Sequence, residues 1–195
     1  MSSPRYPLNT NNRPIALVGL MGCGKSTVGK DLSRQTGMPL PDMDTVIEEQ
    51  IGKSIPDIFA ESGEAHFRAL ETALLRYLSD CRYDSERRPP IISTGGGVVM
   101  REENRRLLRE LGFVVWLNVD VRTLLQRTAR SNHRPLLRNP DPEGTLRRLL
   151  AERAPAYAAA AHLSLNCTHT NAFATARRVC KAAARYFAAL RRSAH

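Results

Sequence analysis

The sequence predicts an α/β fold in which a five-stranded parallel sheet is covered by helices on both faces. Three observations indicate this class. Short apolar runs alternate with stretches whose apolar residues recur at helical spacing, which is typical of parallel sheets built from strand–helix units. A glycine-rich motif directly follows the first apolar run. The chain has 195 residues, of which 42% are hydrophobic and 25% charged, as expected for one folded domain.

Five apolar runs are predicted as strands of a buried parallel sheet. They cover residues 15–19, 38–44, 91–94, 113–119 and 163–165. Helices are predicted between them, and glycine or proline interrupts the second helical region near 52–56 and 62–63. The main predicted helices cover residues 25–36, 64–80, 101–111, 120–130, 144–161 and 171–192.

The ends of the chain and its composition indicate the domain organisation. Residues 1–13 are predicted as a disordered tail, and residues 14–192 as a single domain with a substrate-binding segment at about 42–80. The four cysteines and five histidines show no disulfide or metal-ligand spacing. No apolar run approaches the roughly 20 residues that span a bilayer, and the first residues lack the apolar core of a secretory signal. We therefore expect a cytoplasmic protein without a membrane partner.

Positive charge is concentrated in the second half of the chain. The net charge is +10, and residues 101–195 hold 18 basic but seven acidic side chains. A basic half fits phosphorylated ligands, an acidic membrane surface or nucleic acid. The arginines lie in predicted helices and one loop without interleaved aromatic residues, so we expect no nucleic-acid partner. For most of these arginines the alternative is a solvated surface.

The glycine-rich motif at residues 19–26 reads GLMGCGKS and matches G-x-x-x-x-G-K-[ST] in full. Its glycines allow a tight turn whose backbone N–H groups point into one concavity, and the following helix adds its unpaired N–H groups. Lys25 can then reach the β- and γ-phosphates of a nucleotide, and the Ser26 hydroxyl can bind Mg²⁺. A chance match is the alternative, but the motif lies between an apolar strand and a helix. The sequence thus predicts a three-layer P-loop nucleotide-binding fold.

Two carboxylates, Asp42 and Asp44, end the second predicted strand. Alternation along a strand sends both to the same side, and ligands of open α/β sheets bind beyond the carboxyl ends of the strands. One carboxylate could hold Mg²⁺ through water while the other accepts a substrate hydroxyl. The alternative is that one of them only caps the next helix.

A helical segment and a glycine run supply candidate contacts for an anionic substrate. Glu64 lies four residues before Arg68 and Glu71 three after it, so both can pair with it and hold its guanidinium group toward a carboxylate. Such pairs otherwise mark an exposed helix surface. The three consecutive glycines at 95–97 let a ligand approach the backbone closely, unless they form only a flexible turn.

Taken in order, six segments resemble the shikimate kinase family over about residues 14–166. They are GLMGCGKSTVG, DMD, SIPDIFAESGEAHFRALE, STGGGVV, RPLL and ERAPAY. Each segment after the first is weak alone, but the ordered set is specific. The resemblance implies ATP-dependent phosphorylation of the 3-hydroxyl of shikimate, giving ADP and 3-phosphoshikimate, in chorismate and aromatic amino-acid biosynthesis. It also implies Mg²⁺ as cofactor, shikimate and ATP as small-molecule partners, and a monomer.

The resemblance implies roles for the residues that match the motifs of the family. Asp44 is the implied catalytic base, with Lys25 and Arg134 stabilising the transferred phosphate. The implied metal ligands are Ser26 and, through water, Asp42. The implied ATP contacts are Gly22, Cys23, Gly24, Lys25, Ser26, Thr27, Arg127 and Arg134. The implied shikimate contacts are Asp44, Arg68, Gly95, Gly96, Gly97, Arg153, Phe59 and Phe67.

The proline-rich loop at about 131–142 is the implied mobile lid, which carries Arg134 and closes over the phosphates. Closure would exclude water and prevent hydrolysis of ATP. Near the last predicted strand the chain departs from the pattern of the family. Residues 165–170 read LNCTHT, where the family often has an Asp-Thr-like pair followed by a basic or amide residue. The adenine contacts in this stretch are therefore left open.

Two other classes of function compete with this interpretation. Gluconate kinases and nucleoside monophosphate kinases share the phosphate-binding motif, but we do not expect them to combine DMD, FRALE, GGG and RPLL in this order. A nucleotide-sensing module or a basic nucleic-acid binder is the second alternative, weakly supported by the basic half. Assaying a panel of substrates with ATP distinguishes the other kinases from a shikimate kinase. A salt titration of nucleic-acid binding distinguishes a nucleic-acid binder from an enzyme.

Overall fold

The computed structural model describes residues 8–84, 86–129 and 140–193. Within these residues a four-stranded parallel sheet forms the centre of the molecule. Its strands are β1 (Ile15–Val18), β2 (Ile91–Ser93), β3 (Phe113–Asn118) and β4 (Leu163–Asn166). The spatial order is β2-β1-β3-β4. Strands β1 and β2 are buried along their whole length, as expected for parallel strands covered on both faces.

The prediction of a fifth strand at 38–44 is wrong. The segment runs beside β2 and accepts two backbone hydrogen bonds, from Ile91 N to Pro39 O (2.8 Å) and from Ser93 N to Pro41 O (3.1 Å). Both acceptors are prolines, which have no N–H group to donate in return, so the ladder is one-sided. The described residues of this segment form one isolated bridge, between Asp42 and Ser93, and a helix begins at the next residue.

Seven helices flank the sheet in the described part of the chain. They are α1 (Lys25–Thr36), α2 (Met43–Ile51), α3 (Ile55–Asp80), α4 (Glu102–Leu111), α5 (Val121–Thr128), α6 (Pro142–Ala160) and α7 (Ala172–Arg192), with a single 3-10 turn at Val98–Met100. The break predicted near 62–63 is a kink within α3, where Gly63 has a φ of 76°. The ends of the other helices lie within a few residues of the predicted ones.

Local capping explains where several of these helices begin and end. Ser54, Asp120 and Asn171 each accept a hydrogen bond from the backbone N–H group three residues further on, at the starts of α3, α5 and α7. Gly37 ends α1 in the left-handed conformation, with a φ of 73°.

Alternation along β1 divides the core into two layers. Ile15 and Leu17 face a layer built with α1, α5 and α7, whereas Ala16 and Val18 face a layer built with α2, α3 and α4. Helix α6 contributes buried side chains to both layers. This arrangement confirms the predicted parallel sheet with helices on both faces.

Two segments predicted from the sequence fall partly within the described residues. Of the tail predicted at 1–13, residues 8–13 are described and pack on the domain. Thr10 is buried there, and the side-chain amide of Asn11 donates to Phe187 O at 3.1 Å. Of the lid predicted at 131–142, only residues 140–142 are described, and Pro142 already begins α6. Within the described ranges, no helix has both the length and the apolar character of a membrane span.

His162 makes the stability of the fold depend on pH. Its Nδ1 atom accepts a hydrogen bond from Val114 N at 3.0 Å. Burial, with a smaller contribution from the nearby cations Arg109 and Arg13, lowers the pKa of His162 from 6.5 to about 4. Between pH 6.5 and about pH 4 the unfolded chain therefore binds a proton at this side chain that the folded chain does not bind. The stability that neutral His162 contributes is lost as the pH falls from 6.5 to about 4.

We predict that His162→Asn removes this part of the pH dependence, because asparagine keeps an acceptor for Val114 N but does not titrate. Chemical unfolding should show the parent losing stability more steeply than the variant between about pH 6.5 and pH 4. Equal slopes for the two proteins would contradict the assignment.

Candidate active site

A cavity of about 740 Å³ opens where the carboxyl ends of β1 and β2 meet. It is lined by the phosphate-binding motif, by side chains of α2, α3, α5 and α6, and by the three glycines after β2. All but one of the predicted site residues line it: Gly22, Cys23, Gly24, Lys25, Ser26, Thr27, Asp42, Asp44, Phe59, Phe67, Arg68, Gly95, Gly96, Gly97, Arg127 and Arg153. The exception, Arg134, lies outside the described residues.

The phosphate-binding motif joins β1 to α1 through glycines with positive φ. Gly22 and Gly24 have φ values of 82° and 101°, and Gly24 is the N-cap of α1. Gly19 lies so close to β3 that a Cβ atom there would stand 2.7 Å from Leu117 O. Lys25 Nζ donates to Gly19 O at 2.8 Å, which holds the ammonium group at the turn. The first N–H groups of α1, which have no partner within the helix, are thus placed to bind an anion.

The first carboxylate, Asp42, lies next to Ser26. Asp42 is the N-cap of α2, where its Oδ1 atom accepts from Asp44 N at 3.1 Å and its Oδ2 atom accepts from Ser26 Oγ at 3.4 Å. The prediction that Asp42 and Asp44 alternate along a strand is therefore wrong, and Asp42 caps α2 while its second oxygen faces Ser26. A hydroxyl and a carboxylate together supply the hard oxygen donors that Mg²⁺ prefers, so these residues fit such an ion.

The second carboxylate, Asp44, lies in the first turn of α2. Its Oδ1 atom is buried and has no hydrogen-bond partner among the residues that the structure describes. Burial, and then the negative charge of Asp42, raise the pKa of Asp44, while Lys25 opposes the shift. A buried acceptor oxygen on a carboxylate of raised pKa is suited to bind a hydroxyl and to take its proton.

Arg68 is held by two carboxylates of α3. Its Nη1 atom donates to Glu71 Oε2 and its Nη2 atom to Glu64 Oε1, both at 2.8 Å. The predicted pairs are thus present. Glu64 is exposed, but Glu71 has a side-chain exposure of 0% and Arg68 of 16%. Burial raises the pKa of Glu71, and the positive charge of Arg68 opposes the shift. The Arg68–Glu71 pair is therefore a buried charge interaction at the wall of the cavity.

The three glycines after β2 make room for these charged side chains. A Cβ atom on Gly95 would stand 2.7 Å from Glu71 Oε1 and 3.0 Å from Asp44 Oδ1. A Cβ atom on Gly97 would overlap the guanidinium group of Arg68. The structure shows that side chains of the site lie close to this backbone, while the approach of a ligand to it stays a prediction.

Two further arginines reach the cavity from α5 and α6. Arg153 Nη1 donates to Gly96 O at 3.1 Å. Arg127 donates to the backbone carbonyls of Cys23 at 3.4 Å and Cys167 at 3.3 Å. Arg127 therefore links the phosphate-binding motif to the loop after β4, the stretch whose adenine contacts the sequence left open.

The two predicted pocket phenylalanines are brought together. The ring centroids of Phe59 and Phe67 lie 5.0 Å apart, and the Arg68 guanidinium group lies 5.4 Å from the centroid of Phe67. Both rings line the cavity and give it an apolar wall beside the charged groups.

Tyr157 is the residue that the sequence interpretation missed. It is fully buried one turn after Arg153 on α6, and its hydroxyl donates to Gly96 O at 2.5 Å. The available signal was the spacing of four residues between Arg153 and Tyr157, which places both on one helix face.

Comparison with known proteins then identifies the family. The family model described as shikimate kinase matches residues 21–184. The chain belongs to the shikimate kinase family. A shikimate kinase of Bordetella avium (strain 197N) is 46% identical over 150 residues, which are 77% of this chain and 69% of that protein. A shikimate kinase of Rhodopseudomonas palustris is 44% identical over 146 residues, which are 75% of this chain and 69% of that protein.

Solved structures of shikimate kinases share the fold. The shikimate kinase of Acinetobacter baumannii, in complex with shikimate, is 39% identical and superposes with a TM-score of 0.77 over 86% of this chain and 90% of that chain. A gluconokinase of Sinorhizobium meliloti, 17% identical, has a TM-score of 0.57 over 98% of this chain and 99% of that chain, a likeness of fold alone. The gluconate kinase alternative thus has support at the level of fold only.

We predict that Arg68→Met destabilises the protein by about 3 kcal/mol or more, because it leaves Glu71 buried without its cation. The double variant Arg68→Met/Glu71→Gln should regain most of that loss, because it removes the buried negative charge as well. Urea unfolding at neutral pH measures both. Arg76→Met, which breaks an exposed pair with Glu103, is the matched control and should change stability little. Parent-like stability of Arg68→Met, or no recovery in the double variant, would contradict this account.

Proposed function

We propose that this protein is an ATP-dependent shikimate kinase, which transfers the γ-phosphate of ATP to the 3-hydroxyl of shikimate and serves chorismate and aromatic amino-acid biosynthesis. One observation carries the proposal. In a chain of this family, a single cavity holds the phosphate-binding motif beside a pocket of arginines and an aspartate with one buried oxygen. The cavity thus offers sites for a polyphosphate, a carboxylate and an alcohol, which are the groups that this reaction brings together.

On the nucleotide side, the N–H groups of residues 22–27 would bind the phosphates, and Lys25 would leave the carbonyl of Gly19 to contact them. Ser26 and Asp42 would hold Mg²⁺, Asp42 through water. When bound, the ion supplies positive charge that neutralises the phosphate oxygens. Arg127 lies between the motif and the loop after β4, a position that supports contact with the adenine ring.

On the shikimate side, Arg68 and Arg153 would bind the carboxylate of the substrate, while residues 95–97 and the two phenylalanine rings enclose its carbon ring. Arg68 is oriented for this task by Glu64 and Glu71, so little side-chain freedom is lost on binding. The unpartnered Oδ1 atom of Asp44 would accept the hydrogen bond of the 3-hydroxyl and take its proton as the phosphoryl group is transferred. The raised pKa of Asp44 makes it a stronger base than an ordinary carboxylate.

The remaining assignments rest on resemblance to the family. Arg134 would contact the transferred phosphate from the lid at 131–142, and the lid would keep water away from it. Residues 14–192 would act as one catalytic domain, as a monomer in the cytoplasm.

The test is ADP release from MgATP with shikimate, gluconate, quinate and nucleoside monophosphates offered separately. We predict that, among these acceptors, shikimate is the one that is phosphorylated. Lys25→Met should lower kcat by at least about a hundredfold, because it removes the cation that contacts the phosphates. Lys30→Met, which leaves the motif intact, is the matched control and should behave like the parent. Turnover of another acceptor in preference to shikimate, or full activity of Lys25→Met, would overturn the proposal.

A further inference from the structure

The two arginines of the substrate pocket are oriented in different ways. Arg68 is paired with two carboxylates of its own helix. Arg153 has no ion pair with any residue in the described part of the chain, and the hydrogen bond that holds its guanidinium group runs from Nη1 to Gly96 O, at 3.1 Å. The direction of the Arg153 side chain thus depends on this backbone carbonyl and on the Tyr157 hydroxyl, with which the guanidinium group also interacts.

That carbonyl is fixed from a second direction by Tyr157. The hydroxyl of Tyr157 donates to the same oxygen, Gly96 O, at 2.5 Å. Tyr157 has an exposure of 0%, and its ring is stacked on Trp116 with 5.6 Å between the ring centroids. The hydroxyl is therefore carried by a ring that the core holds in place.

Gly96 itself lies between the two halves of the cavity. A Cβ atom on Gly96 would stand 3.6 Å from Met21 N and 3.7 Å from both Gly19 O and Arg153 Nη1. Its carbonyl faces α6, whose Arg153 and Tyr157 supply the two donors, while the direction in which a Cβ atom would point faces the phosphate-binding motif. A shift of this peptide would therefore move the anchor of Arg153.

We propose that Tyr157 is a positioning residue for shikimate binding. Its hydroxyl holds the carbonyl of Gly96, and this carbonyl holds Arg153 so that the remaining N–H groups of the guanidinium point to the substrate carboxylate. The carbonyl thereby does for Arg153 what the two carboxylates do for Arg68. Tyr157 keeps its proton in this role, and burial raises the pKa of its hydroxyl further above the ordinary value. The inference rests on the proposed function.

The test is Tyr157→Phe, which removes one hydroxyl and keeps the ring stacked on Trp116. Loss of one hydrogen bond to the anchor should raise the KM for shikimate by about three- to tenfold. The KM for ATP and the kcat should stay within about twofold, because neither the phosphate-binding motif nor Asp44 is changed. Tyr186→Phe is the matched control. Its hydroxyl lies 3.3 Å from His162 Nε2, away from the cavity, so its kinetic constants should be those of the parent.

A double-variant cycle shows whether Tyr157 acts through Arg153. Calorimetry gives the dissociation constant of shikimate for the parent, Tyr157→Phe, Arg153→Ala and the double variant. We expect Tyr157→Phe to weaken binding in the parent background and to have no further effect once Arg153 is absent. Three results would overturn the inference. They are unchanged shikimate binding by Tyr157→Phe, an equal loss of ATP binding, and a double variant whose dissociation constant rises by the product of the two single effects.

Two further outcomes keep the tests distinct. A parent that does not phosphorylate shikimate refutes the proposed function, whereas an active parent with an unaffected Tyr157→Phe variant refutes only the role of Tyr157. Should Tyr157→Phe fail to fold, a structure of the parent with shikimate decides. The inference predicts that Tyr157 Oη donates to Gly96 O while Arg153 binds the carboxylate of shikimate. A structure in which Arg153 binds that carboxylate although Tyr157 does not contact Gly96 would overturn it.

Discussion

The parallel pairing of β1 with β2 is the constraint on which the rest of the structure depends. The two strands are in register from Ile15 opposite Ile91, and beyond β2 both the N–H group and the hydroxyl of Thr94 donate to Leu17 O, at 3.3 Å and 2.9 Å. Two glycine-rich turns, 19–24 and 95–97, therefore leave the sheet side by side. Phosphate binding is proposed for the first turn and substrate binding for the second, so their adjacency is what creates the proposed site.

Burial of charge on both sides of these turns explains the electrostatics of the site. Burial raises the pKa of both Asp44 and Glu71. A cation partly offsets each shift, Lys25 for Asp44 and Arg68 for Glu71. Asp44 Oδ1 and Glu71 Oε1 converge on Gly95, where any side chain would displace them. Neither oxygen has a hydrogen-bond partner among the described residues. The protein thus keeps two carboxylates in an environment that favours their neutral forms, a cost in stability typical of functional sites.

Much of this arrangement could be predicted from local sequence, because it follows from short-range rules. The bounds of α1 come from a glycine-rich start and Gly37 at its end, and both are visible in the chain. The segment 38–44 has the apolar pattern of a strand but does not form one, because Pro39 and Pro41 cannot donate to the ladder and Asp42 caps a helix. For the same reason Asp42 and Asp44 do not alternate along a strand.

Other features depend on contacts between distant parts of the chain, which one sequence does not specify. The complete burial of Glu71 and the hydrogen bond from Tyr157 to Gly96 arise where α3 and α6 pack near the turn after β2. Spacing placed Glu71 beside Arg68 but could not show whether the pair faced solvent or the core. In sequence the pair looks like an ordinary exposed helix pair, and only the fold shows that it is buried.

The central claim is that nucleotide and acceptor bind in one cavity, so that the phosphoryl group passes directly between them. The most direct measurement is the stereochemical course at the γ-phosphorus, with chiral isotopically labelled ATP and shikimate as acceptor. A single in-line transfer inverts the configuration, and inversion is the result predicted here. Retention would require an intermediate carried by the protein and would contradict the account.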